Sequence, residues 1–153
     1  MTPSSIPARL APETVLWAGA ASAATGAGLT ALMFGLGVGL LPDSGLPGLA
    51  TMPIAFLASL PVWLVGLAVL GGPCWWMLHD LGARSRRAAA VTGALLTFAL
   101  AGGYAVLCVL APPAQASAEM WIWAWTFSGG MAAAGGGAGW VLGKIAYPKG
   151  ARR

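Results

Sequence analysis

The sequence predicts an all-α integral membrane protein, a four-transmembrane-helix bundle with its N-terminus and C-terminus both cytoplasmic. Three observations lead there. First, 58% of the 153 residues are hydrophobic and only 8% are charged, with a mean hydropathy of +0.79. A soluble domain carries roughly a quarter charged residues. Eight basic and four acidic side chains cannot cover a water-facing surface of this size. Second, the charges divide the chain into four long uncharged runs: Thr14 to Pro42, Ser44 to Leu78, Ala88 to Ala118 and Met120 to Gly143. Third, if each run spans once, every Lys and Arg falls on the same side. This composition excludes a soluble globule and a disordered chain, and two cysteines are too few for a disulfide scaffold.

The hydrocarbon core of a bilayer takes about 20 apolar residues at ~1.5 Å per residue. Each run is long enough to cross once and too short to cross twice, because a turn with open backbone groups cannot face lipid. The whole chain, residues 1–153, thus reads as a single transmembrane domain. Its helices are expected at about 14–41, 49–72, 86–111 and 120–145, with a cytoplasmic loop at 73–85 and a basic tail at 146–153.

Turn formers trim the runs. Pro42-Asp43-Ser44-Gly45-Leu46-Pro47-Gly48 ends the first helix near Leu41. The second helix carries Pro53 in its first turns and Pro61 mid-span, where a lost backbone bond favours a kink, and it ends at Gly71-Gly72-Pro73. Ser85 is placed to cap the third helix, which stops before Pro112-Pro113. Glu119 precedes the fourth, and Pro148 stops it. Ala20-Ala21-Ser22-Ala23 resembles a signal-peptide cleavage site. The preceding apolar stretch, Val15 to Ala18, is too short for the required core, so the first helix is expected to be retained.

Orientation follows from Arg9, Arg84, Arg86, Arg87, Lys144, Lys149, Arg152 and Arg153, which share one side. The other side's two short loops hold no basic residue. By the positive-inside rule both termini are cytoplasmic. Spread over three juxtamembrane segments, these residues explain the net charge of +4 without a nucleic-acid partner. Arg outnumbers Lys six to two and Ala and Gly dominate, a composition similar to that of multi-pass inner-membrane proteins of GC-rich bacteria.

Helices in lipid associate through close packing of small residues. Gly19, Ala23, Ala27, Ala31, Gly35 and Gly39 recur every fourth residue in the first helix, and Gly135, Gly139 and Gly143 form a GxxxGxxxG zipper in the fourth. These are the expected helix-packing residues, facing a helix of this chain, a second copy or another subunit. Trp121, Trp123 and Trp125 at one end, and Trp17, Trp75, Trp76, Trp140 and Tyr147 near the other, fit interfacial aromatic belts. Trp63 is the mid-span exception and fills volume beside Pro61. Trp75 and Trp76, with Arg84, Arg86 and Arg87, are the expected contacts to lipid headgroups or a partner.

Catalytic chemistry finds little support. Every ionisable Asp, Glu, Lys, Arg and His lies at or beyond a helix end, whereas a transporter or pump usually places one near the midplane. Cys74 and Cys108 fall ~30 Å apart along the membrane normal, too far for a disulfide. His79 has only Cys74 and Asp80 nearby, which makes neither a metal site nor a triad. No catalytic, cofactor or metal site is expected. The leading expectation is a small non-enzymatic membrane protein that acts through helix packing as an accessory or scaffold subunit. Its partners would be membrane lipids and either itself or another membrane protein. A homo-oligomeric passive pore or holin-like channel, lined by glycines and hydroxyls, is the alternative, and a small transporter is a weaker one.

Overall fold

A computed structural model of the chain describes residues 11–39, 45–83, 85–110 and 117–147. It is all-α. Helix α1 runs over Pro12–Gly39. Helix α2 is α-helical over Gly45–Gly66, passes through a π-helical turn at Leu67–Gly71 and resumes over Gly72–Asp80. Helices α3 and α4 occupy Arg86–Leu110 and Ala118–Ala146. The expected ends of the first and third helices, at 41 and 111, lie outside the described residues, as does most of the basic tail.

Helix α2 departs from expectation at both ends. It begins at Gly45, so Pro47 sits in the first turn, where the N–H that proline lacks has no helical partner to lose. Nor does it stop at Gly72. Pro73 removes a backbone donor and crowds the carbonyl four residues back. The chain absorbs this by widening one turn, the Gly72 N–H donating to the Leu67 carbonyl, five residues back. In a medium without water, keeping backbone groups bonded favours continuation over a break. The expected loop 73–85 is therefore helical to Asp80, where a turn begins at Leu81 and Gly82 takes φ +74°.

Caps mark the other ends. The Ala88 N–H donates to Ser85 Oγ at 3.0 Å, opening α3, and the Met120 N–H donates to Ser117 Oγ at 3.3 Å, opening α4. Glu119 lies in the first turn of α4, where a negative charge complements the helix dipole.

The helices are arranged in the order α2, α1, α4, α3. Helix α1 packs between α2 and α4, and α4 packs between α1 and α3. Helices α2 and α3 meet mainly at one end, through Gly72–Asp80. Among the described residues three helices are long and apolar enough to cross a membrane, the mark of a multi-pass membrane protein. Their apolar character follows their position. The flanking α2 and α3 are the most apolar and only 6% and 17% buried over their most apolar windows, whereas the central α1 is less apolar and 39% buried. Helix α4, 29 residues long and held from both sides, is not among these three, its inward faces being built of Gly and Ala rather than Leu and Val.

Candidate functional site

The packing that shapes the site begins with glycine. In α4, Gly135, Gly139 and Gly143 are buried and face the backbone of α3. A β-carbon on Gly139 would lie 2.8 Å from the Ala89 carbonyl carbon, and one on Gly143 would lie 2.9 Å from Arg86 Cα. Gly93 of α3 returns the contact, its own β-carbon position meeting the Gly135 carbonyl. The zipper is thus filled by a helix of the same chain.

The α1 series divides. Ala23, Ala27, Ala31 and Gly35 are buried, and Gly35 is covered by Met52. Gly19 has open space where a side chain would be, and Gly39 is half-buried. A further close α1 contact involves a residue outside the series: a β-carbon on Gly26 would lie 2.5–2.7 Å from the Trp63 ring. Trp63 is 8% exposed, packs with Ala23, Ala27, Ala134 and Ala138, and donates from Nε1 to Thr30 Oγ1 at 3.1 Å. A mid-span tryptophan requires a glycine seat on its neighbour, but nothing in the spacing says which glycine.

The hydroxyls expected inside the bundle are mostly engaged. Ser22, Thr25, Thr30, Ser59, Thr97, Thr126 and Ser128 each donate to a main-chain carbonyl. Ser22 alone does so at short range across helices, from α1 to the Ala138 carbonyl of α4 at 2.7 Å, fully buried. Ser22→Ala is expected to lower stability by about 0.5–1.5 kcal/mol, the range of interhelical bonds in lipid, measured by unfolding in a denaturing detergent titration.

Because α2 and α3 splay apart beyond their main meeting point, a cavity of about 350 Å³ opens between them, with α4 as its floor. On the α2 side it is walled by Trp63, Gly66, Leu67, Gly71, Trp75 and Leu78, so the π turn forms part of the wall. The α3 side contributes Ala89, Thr92, Leu96 and Tyr104, and the floor Met131 and Leu142. The surface is almost wholly apolar.

One end of the cavity reaches an aromatic cluster. Trp75, His79 and Tyr147 lie with ring centroids 6.0–6.4 Å apart, and His79 Nδ1 and the Tyr147 hydroxyl share a hydrogen bond of 3.0 Å. Continuation of α2 past Pro73 carries Trp75 and His79 to the C-terminal end of α4, a juxtaposition that the expected loop at 73–85 does not suggest. Trp75 Nε1 is buried without a hydrogen-bond partner among the described residues. Trp76 is exposed on the other face of the helix. Arg86 and Arg87 open α3 nearby, Arg86 half-buried against Gly143 and Arg87 exposed. Arg84 lies outside the described residues.

Among the described residues no group of three His, Cys, Asp or Glu side chains stands close enough to hold a metal ion. Cys74 is half-buried beside the cavity, and Cys108 is exposed. No known family model matches the chain, and no curated protein or solved structure shows significant similarity to it.

Proposed function

We propose that the chain is a bacterial inner-membrane protein with four spans and cytoplasmic termini, and that it works without catalysis, as an accessory or scaffold subunit. The observation that carries this is the unequal use of helix surface. Most of the glycine and alanine series, Ala23 to Gly35 and Gly135 to Gly143, is packed inside the chain, whereas α2 presents Ile54, Leu57, Val62, Val65, Val69 and Trp76, each more than 60% exposed, along one long apolar helix. The partner surface in this reading is therefore α2 and not the small-residue faces. The arrangement of α4 favours a fourth span. It lies between two apolar helices, so a membrane helix there needs little apolar surface of its own.

Hydroxyls that donate to carbonyls within the bundle leave few groups to hydrate a path, which favours the accessory reading over the pore. Native mass spectrometry in mild detergent, with solute flux in liposomes, separates the two. The expected result is association with a second membrane protein, lost on Val65→Lys, and no flux. A discrete homo-oligomer that conducts overturns the proposal.

A further inference from the structure

The cavity between α2 and α3 is long and narrow. Its lining runs from Tyr104 to Ala89 on α3, ~22 Å of helix axis at ~1.5 Å per residue. About 350 Å³ drawn out over that length admits one extended hydrocarbon chain. A helix of a second copy or a partner is ~10 Å across with its side chains and does not fit. The lateral opening between α2 and α3 faces the surrounding bilayer in the four-span reading.

The cavity's end is chemically distinct from the rest. Trp75 ends the apolar wall there, its Nε1 buried. Arg86 stands one helical turn before the lining residue Ala89, and Arg87 follows it, at the positive end of the α3 dipole. Two cations at the end of an apolar slot match an anionic headgroup and an acyl chain.

We propose that this cavity is a binding site for one anionic phospholipid, with an acyl chain between α2 and α3 and its phosphate at Arg86 and Arg87. The proposal rests on the four-span reading, which puts this end at the cytoplasmic leaflet. Lipid retention in detergent depends on neither orientation nor partner, so the two readings fail separately.

The full-length chain, purified in mild detergent, is titrated with dioleoyl phosphatidylglycerol or dioleoyl phosphatidylcholine and examined by native mass spectrometry. One phosphatidylglycerol is expected to bind, with about tenfold preference over phosphatidylcholine. Gly66→Phe fills the slot from a position where an added side chain meets nothing, and is expected to abolish the adduct with helicity unchanged. Arg86→Gln with Arg87→Gln is expected to bring the two lipids to near parity. Dihexanoyl phosphatidylglycerol, whose chains are too short to fill the slot, is expected to bind the unaltered chain at least about tenfold more weakly. This comparison needs no variant and decides the matter if Gly66→Phe does not fold. Equal binding of the short-chain lipid, an undiminished adduct on folded Gly66→Phe, or a ladder of adducts without headgroup preference overturns the proposal.

Discussion

Gly139→Ala is expected to force α3 away from α4 and to lower stability in detergent by about 1–3 kcal/mol, the usual penalty for overpacking a fitted contact. The added methyl would run into the Ala89 carbonyl oxygen, with the Ala89 carbonyl carbon at 2.8 Å and Ala90 Cα at 3.1 Å, and backbone in a hydrogen-bonded helix cannot yield as a flexible side chain can. The same substitution at Gly19, where a β-carbon meets nothing, is expected to change stability by less than about 0.5 kcal/mol. Gly19 and Gly139 share the four-residue spacing, so the pair separates contact from pattern. Reversible unfolding in a denaturing detergent titration, followed by far-UV circular dichroism, measures both. Equal effects at the two positions would show that the α3–α4 seam is not packed backbone to backbone.

Trp63→Ala is expected to cost about 2–3 kcal/mol in the same titration. Truncating a buried Trp in a water-soluble core costs about 3–5 kcal/mol. Here the unfolded reference stays among detergent or lipid tails, so the transfer contribution shrinks and lost packing remains. The indole seats on Gly26, bonds Thr30 and touches residues of α1 and α4, so its removal loosens the interface that fixes α2. Gly26→Ala, which drives a β-carbon into the ring, is expected to disturb the same interface. Stability insensitive to both changes would mean that α2 is held elsewhere.

These positions also show how far the letters of the chain lead. The four helices are legible because charge is so scarce that each interruption marks an end, and Ser85 is legible as a cap because hydroxyls before apolar runs satisfy open N–H groups. Gly135, Gly139 and Gly143 are legible as packing residues, since three glycines in register would otherwise weaken a helix. The partner they face is not, because spacing gives a face and not a neighbour. Gly19 and Gly26 show the same limit from both sides: one sits in the series and packs against nothing, the other lies outside it and seats the central tryptophan. Gly71-Gly72-Pro73 reads as a break by the rules of water-soluble chains, but a π turn carries the helix on to Asp80. The meeting of Trp75, His79 and Tyr147 follows from that continuation, and the cleft from the order α2, α1, α4, α3. Both are products of tertiary arrangement that no local pattern records.

The most direct test of four spans with cytoplasmic termini is a pair of compartment-sensitive reporters, one fused before Met1 and one after Arg153, with an internal fusion in the Pro112–Ser117 connection as reference. Cytoplasmic signal is expected from both termini and periplasmic signal from the connection. A cytoplasmic N-terminus with a periplasmic C-terminus would mean that α4 does not cross the membrane, and would contradict the four-span reading.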